Sequence, residues 1–450
     1  MLELTIGEAA IACGGLLCAN RDVLFKRIGS ITIDSRKVLP DSLFIALHGE
    51  HIDGHRFIPA AMNSGAACVM SEVSVSYPHI RVRNTRIAMQ KLAAYMREKS
   101  GIPVLAVVGS VGKTSTRRML SCVLGEKYNL LSTEGNFNNE YGLPQTLFRL
   151  EDTNDFAVLE LGISNFGEMD RLGEIAKPNY ALYTNIGSMH LENLGDRDGV
   201  LKAKTELIPH IAKDGMLFFN GEDDKLRSFV SPVPVTYFGM DGSYPVYPSG
   251  IEQSGLNSTN FDLHFPDAVL PVSLPALGIH MVCNAVAAAT VGLHLGLTPE
   301  QIVHGIESYT PVGHRGRIIE LGAFTIVDDC YNAGPDSMRA SINTLPHTGR
   351  RLALLGDMLE LGETSPMLHY NLGKFAAEAK LDMLFTVGNL SEKITEGAKA
   401  SGLSESYHLD EKDAAKFIIS KLQKGDVLLV KASRGMLFEK LIDKITEELK

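Results

Sequence analysis

The run Gly109-Ser110-Val111-Gly112-Lys113-Thr114-Ser115-Thr116 gathers two glycines, an amine and a series of hydroxyls in one short stretch. It follows the apolar segment Val104–Val108 and opens a helical pattern over Thr116–Leu124. Glycines at 109 and 112 allow a tight turn in which backbone N–H groups approach phosphate closely. Lys113 supplies a point charge for the β- and γ-phosphates of a nucleotide, and the Thr114 hydroxyl suits Mg²⁺. The loop is shorter than the usual pattern, because Val107 stands where a glycine is expected six residues before the lysine. A glycine-rich turn with a surface lysine is the bland alternative. The order of strand, glycine pair, lysine and hydroxyls weighs against it.

Three further residues could complete such a site. Phe156–Leu161 is an apolar strand pattern containing Glu160 near its end, where ligands bind in parallel sheets, so Glu160 is a candidate Mg²⁺ ligand rather than a structural acid. His190 lies in a turn after the strand pattern Ala181–Asn185, a position that favours a metal or phosphate role over an exposed histidine. Lys204 sits in Leu201-Lys202-Ala203-Lys204-Thr205-Glu206, which by itself reads as an amphipathic helix with solvated lysines.

The elements that must hold these residues alternate. Strand patterns at Val104–Val108, Phe156–Leu161, Ala181–Asn185 and Met216–Asn220 are apolar on both faces, as in a covered parallel sheet. The Ala-rich end of 277–292 predicts a closely packed helix. A second series has strands at Phe324–Val327, Leu352–Leu355, Met383–Val387 and Val427–Val430, with helices at Pro335–Leu345, Met367–Ala379 and Ala414–Leu422. This is a Rossmann-like pattern. Breaks at Lys99–Pro103 and Tyr309–Gly313 combine turn residues with a change of pattern. The expectation is an α/β protein of three domains: 1–100, 101–312 and 313–450. The first is small and mixed, with no strand order legible in it.

Composition narrows the field. A net charge of −10 argues against broad nucleic-acid binding. Apolar runs fall short of the roughly 20 residues needed to span a bilayer. The start, Met1-Leu-Glu-Leu-Thr-Ile, lacks the basic and apolar segments of a secretory signal, so no membrane insertion and a cytoplasmic location are expected. The 6 cysteines show no CxxC pair, which argues against a zinc site or disulfide framework and suits a reducing compartment. No [NT]KxD motif supports a GTPase and no HRD or DFG set supports a protein kinase.

Taken together these residues resemble the Mur ligase family, over nearly the whole chain. Gly109–Ser115 is similar to the family's GxxGKTT loop, with Ser115 in place of the last threonine. Thr133-Glu-Gly-Asn136-Phe-Asn138-Asn139 resembles TEGNxNN, and Asp328-Asp329-Cys330-Tyr331-Asn332-Ala-Gly334-Pro-Asp-Ser-Met338 resembles DDxYNANPDSM. Gly356–Gly362 matches GDMLELG, and Lys431-Ala-Ser-Arg-Gly-Met436 is similar to K[GA]SRGM.

The resemblance implies an ATP- and Mg²⁺-dependent ligase, a monomer by family, joining D-alanyl-D-alanine to UDP-N-acetylmuramoyl-tripeptide through an acyl phosphate. It implies nucleotide contacts from Gly109, Ser110, Gly112, Lys113, Thr114, Ser115, His280, Asn284, Asp329 and Asn332. Met281 departs from the GxHNVxNA pattern at this stretch. An arginine reaches the γ-phosphate; Arg315 is the choice, with Arg317 left open beside it. One Mg²⁺ would take Thr114 and Glu160, the other Glu160, His190 and a carbamylated Lys204. Lys113, His190, Lys204 and Arg315 are the implied catalytic residues. Ser35, Arg36, Asp53 and His55, within Asp34–Lys37 and His51–Ile58, would serve the uridine diphosphate, and Asn136, Asn138 and Asn139 the rest of the substrate. A different peptide-adding member, or a nucleotide-driven switch without chemistry, are the competing readings.

Overall fold

The computed structural model describes residues 1–49, 52–346 and 349–448. Three α/β units follow one another. The first sheet joins β1 (Leu16–Cys18), β2 (Ser30–Thr32), β3 (Ser42–Ile45), β4 (Cys68–Ser71) and β5 (His79–Arg81) in the order β1-β5-β4-β3-β2. Only β1 runs antiparallel. Alternation along β3 and β4 serves two layers. Leu43, Ile45, Cys68 and Met70 meet the helix Thr85–Ser100, while Phe44 and Val69 meet Ile58 and Ala61.

The central sheet is wholly parallel. It contains β6 (Val104–Val108), β7 (Leu130–Ser132), β8 (Phe156–Glu160), β9 (Tyr180–Tyr183), β10 (Met216–Asn220) and β11 (Val235–Phe238), in the order β11-β10-β9-β6-β8-β7. The chain leaves β6 towards β7 and β8, then returns past β6 to β9. The strand order therefore reverses at β6, and a crevice opens where β6, β8 and β9 end. Val104, Ala106 and Val108 pack on one face; Leu105 and Val107 pack on the other against helices Lys113–Gly125 and Ile279–His294. Val104–Val108 and Met216–Asn220 match the expected strands, as does the helix in 277–292.

A hairpin sheet follows, with β12 (Tyr247–Ser254), β13 (Ser258–Phe265) and β14 (Ala268–Leu274) antiparallel, which the sequence reading did not anticipate. The last sheet has β15 (Arg317–Glu320), β16 (Thr325–Asp328), β17 (Arg351–Gly356), β18 (Met383–Val387), β19 (Ser406–Leu409) and β20 (Val427–Lys431), in the order β15-β16-β20-β17-β18-β19. All are parallel except β15, an edge strand that was also unforeseen. Among the described residues no helix is long and apolar enough to cross a membrane.

Candidate active site

A cleft of about 650 Å³ lies between the central and last units, over the carboxyl ends of β6, β8 and β9. Its floor is the loop from Ser110 to Thr116. Gly109 has φ +146°, and a Cβ there would lie 1.9 Å from Thr184 Oγ1, so this close approach requires glycine. The Thr184 hydroxyl donates to Val111 O at 2.6 Å and Asn185 Oδ1 accepts from Val111 N at 3.0 Å, pinning the loop to the end of β9. The Lys113 amine folds back over the loop, donating to Gly109 O (2.8 Å) and Ser110 O (3.3 Å). Burial holds its proton affinity below the ordinary lysine range; Glu160 opposes that shift and Arg315 adds to it.

Glu160 ends β8 and is 2% exposed. Its Oε1 accepts from Thr114 Oγ1 at 3.1 Å and Asn138 Nδ2 at 2.8 Å, and its backbone N–H donates to Thr133 Oγ1 at 3.0 Å. Oε2 is different. It is shut from solvent without a hydrogen bond, 3.5 Å from the equally orphaned Nε of Arg117. A buried carboxylate oxygen left over beside a threonine hydroxyl has the chemistry of a hard-cation ligand.

His190 begins the short helix Leu191–Leu194 with φ +57°. Its Nδ1 lies 2.6 Å from Glu360 Oε2 of the last unit. Lys204 corrects the sequence reading. It is not a solvated lysine but 1% exposed on the helix Arg197–Thr205, and only its neighbour Lys202 faces solvent. Burial pushes its proton affinity well below the ordinary range, and the Lys113 charge adds to this.

The opposite wall comes from the last unit. Arg315 lies 3.7 Å over the Tyr331 ring and lines the cleft, whereas Arg317 is exposed on β15. Asp329 Oδ2 accepts from Lys431 Nζ (2.6 Å) and Ser341 Oγ (2.5 Å). Asn332 Oδ1 accepts from Ala333 N at 2.9 Å and Arg434 N at 3.4 Å. His280, half-buried, and Asn284 line the near side; Asn284 Oδ1 accepts from Thr116 Oγ1 at 3.0 Å. Met281 leaves this stretch a thioether acceptor, 3.4 Å from Asn284 Nδ2.

Comparison with known proteins decides the family. Residues 27–105, 107–292 and 314–434 match the models described as Mur ligase family, catalytic domain; Mur ligase middle domain; and Mur ligase, glutamate ligase domain. A Bacillus subtilis protein named UDP-N-acetylmuramoyl-tripeptide--D-alanyl-D-alanine ligase is 35% identical, with 99% of each chain covered. The chain belongs to the Mur ligase family. The crystal structure of MurF from Acinetobacter baumannii superposes with a TM-score of 0.89 at 32% identity, covering 99% of each chain. MurF ligase from Thermotoga maritima in complex with ADP gives 0.83 at 29% identity, covering 93% of this chain and 97% of that one.

In this Mur ligase the cleft unites most residues singled out from sequence. Ser110, Gly112 to Ser115, Asn136, Asn138, Asn139, Glu160, His190, His280, Asn284, Arg315, Asp329 and Asn332 all line it. Asn139 also has a local task, its Oδ1 accepting the N–H groups of Tyr141 and Gly142 at the start of a helix. Gly109 and the buried Lys204 are not among the lining residues, and neither are Ser35, Arg36, Asp53 and His55, which belong to the first unit. There Arg36 forks onto Asp34 at 2.9 and 2.8 Å, and this pairing pulls the Asp34 carboxyl down to about 2. His55 Nε2 accepts from Glu72 N at 2.9 Å, so its Nδ1 carries the proton and donates to Asp53 at 2.7 Å. His51 lies outside the described residues.

Sequence reasoning gave no role to Arg117, Tyr331, Asp336, Glu360 or Lys431. Arg117 carried one signal, its place one helical turn after Lys113. Asp336 accepts from Ser188 N at 3.2 Å, and Glu360 holds His190; both contacts cross between units and have no trace in local spacing.

Proposed function

We propose that this Mur ligase joins D-alanyl-D-alanine to a UDP-N-acetylmuramoyl-tripeptide with ATP as the phosphoryl donor, in the cytoplasm and as a monomer. The observation that carries the reading is the convergence of Lys113, the spare oxygen of Glu160 and Arg315 in one cleft, in a chain alike end to end to enzymes of that name. The Thermotoga maritima relative forms a complex with ADP, which supports a nucleotide as ligand here too. The proposed division is 1–100 for the uridine diphosphate, with Ser35, Arg36, Asp53 and His55 as contacts, 101–312 for ATP, and 313–450 as the closing domain.

The Thr114 hydroxyl and the spare oxygen of Glu160 suit a hard cation such as Mg²⁺. Thr114 and Glu160 would hold one ion, and Glu160, His190 and a carbamylated Lys204 a second. Bound there, the ions neutralise charge on the phosphates and the reacting carboxylate. Lys204 suits this role because burial favours its neutral amine, the form that adds to CO₂ and loses a proton to become a carbamate.

The tripeptide's terminal carboxylate attacks the γ-phosphorus, forming an acyl phosphate and ADP. Lys113 and Arg315 stabilise the negative charge spread over the transferring phosphoryl group. Stacking on Tyr331 holds Arg315 in place, so little reorganisation accompanies transfer. Asp329 and Asn332 orient the nucleotide from the far wall, while His280 and Asn284 flank its base. The amine of D-alanyl-D-alanine then attacks the acyl carbon, the tetrahedral intermediate expels inorganic phosphate, and the amine proton departs. Because the walls come from two units, their closure excludes water from the acyl phosphate.

Phosphate release is the test. It should require ATP, UDP-N-acetylmuramoyl-tripeptide and D-alanyl-D-alanine together. Release without the dipeptide, or equal release with a free amino acid in its place, would overturn the assignment in favour of a switch or another peptide adder.

A further inference from the structure

Behind the cleft wall lies a group of side chains that the reaction does not use. One ring nitrogen of His314, a carboxylate oxygen of Asp328 and Cys330 Sγ all lie within 4.8 Å of one another. His314 Nδ1 is 2.7 Å from Asp328 Oδ2, and the Cys330 thiol donates to Asp328 Oδ1 at 3.1 Å. We propose that these three residues, with Glu439 alongside, form a binding site for a divalent transition metal of the zinc class.

Backbone structure fixes the donors. Asp328 ends β16, paired opposite Arg317 of β15, and Tyr331 N donates to His314 O at 3.0 Å, closing the ladder just beyond. Alternation along this extended stretch separates the faces: Asp329 and Tyr331 line the cleft, while Asp328 and Cys330 do not. Asp328 and Cys330 are each 1% exposed, and the half-exposed His314 imidazole provides the way in. The set of one imidazole, one thiol and one carboxylate is that of a zinc-class ion, whereas magnesium prefers an octahedron of oxygens and water.

A second observation concerns Glu439. Its Oε1 accepts from Arg434 Nη1 at 2.7 Å, but Oε2 is shut from solvent without any partner. A carboxylate oxygen shut from solvent without a partner is what a cation would complete. Binding displaces the Cys330 thiol proton to solvent and leaves a metal–thiolate bond. His314 coordinates as neutral imidazole through Nδ1, with its ring proton on Nε2.

The absence of any CxxC pair concealed this arrangement, since its donors come from two strand ends and a distant helix. The test uses the full chain, stripped with a chelator and titrated with Co²⁺ alone. One equivalent should produce a sulfur-to-cobalt charge-transfer band in the near ultraviolet, bleached by Zn²⁺ and unaffected by excess Mg²⁺. Cys330→Ser should remove the band, and His314→Gln and Glu439→Gln should each weaken Co²⁺ binding about tenfold or more. Far-ultraviolet circular dichroism checks each variant; should Cys330→Ser unfold, the other two substitutions decide. No band at one equivalent, a band retained in Cys330→Ser, or unchanged affinity in both His314→Gln and Glu439→Gln would overturn the site.

Discussion

Gly109 and Gly112 both have positive φ, yet the structure assigns them different tolerances. An alanine Cβ at 112 would meet nothing nearer than Asn284 Oδ1 at 3.5 Å. Gly112→Ala then carries only the backbone penalty of the left-handed region, about 1 kcal/mol. At 109 the new Cβ would overlap Thr184 Oγ1 at 1.9 Å. Thr184 must rotate and abandon its 2.6 Å bond to Val111 O, which costs about 1 kcal/mol. Overpacking and backbone strain add about 1 kcal/mol each at the low end of their ranges. The sum is about 3 kcal/mol for Gly109→Ala against about 1 for Gly112→Ala. For a unit of this size these correspond to falls of about 9 °C and 3 °C in the middle unit's melting transition. Differential scanning calorimetry measures both, and calorimetric titration with ADP reports the loop itself. Removing the obstruction in Gly109→Ala/Thr184→Ala should give a loss smaller than the sum of the single changes. A Gly109→Ala melting transition within about 2 °C of the parent, or a double variant as damaged as the sum, would refute the steric reasoning.

Other outcomes follow from the same geometry. Lys113→Ala should abolish phosphate release with unchanged circular dichroism, and retained turnover would remove Lys113 from the phosphate site. Lys204→Met should also be inactive yet at least as heat-stable as the parent, because it replaces a buried amine by an apolar chain of similar length. Since the folded state holds the Lys204 proton less tightly than the unfolded chain, the parent's stability falls as pH drops below the ordinary value of 10.5. The advantage of Lys204→Met should therefore widen between about pH 9 and about pH 7, and a constant or shrinking gap in thermal melts would count against a neutral buried amine. Glu360→Ala should lower kcat about tenfold with little change in KM for ATP, and Glu360→Gln, which keeps an acceptor for His190, should recover part of the loss. Equal effects of the two substitutions would deny Glu360 a positioning role.

The central sheet was legible because strands buried on both faces read as unbroken apolar runs, and because Gly109, Gly112 and Lys113 mark where the first of them ends. Glu160 was legible for the same reason: an acid at the end of an apolar strand has few places to go but the crevice. Lys204 was not. A helix face that packs inward looks amphipathic whether its lysine is solvated or buried, and only the packing beneath Tyr183, whose hydroxyl donates to Lys204 O at 3.1 Å, distinguishes the two. The hairpin β12–β14 was missed because its strands are short of apolar residues on the outer side, with Glu252, Gln253 and Asn260 exposed. Contacts between units, such as Ser188 with Asp336, are long-range and leave no local period to read.

The union of His190 with Glu360 has a pharmacological consequence. The carboxylate that holds that imidazole belongs to a neighbouring unit, so a perturbation at the seam reaches the cleft. A small wedge that separates the two side chains need imitate neither nucleotide nor peptide.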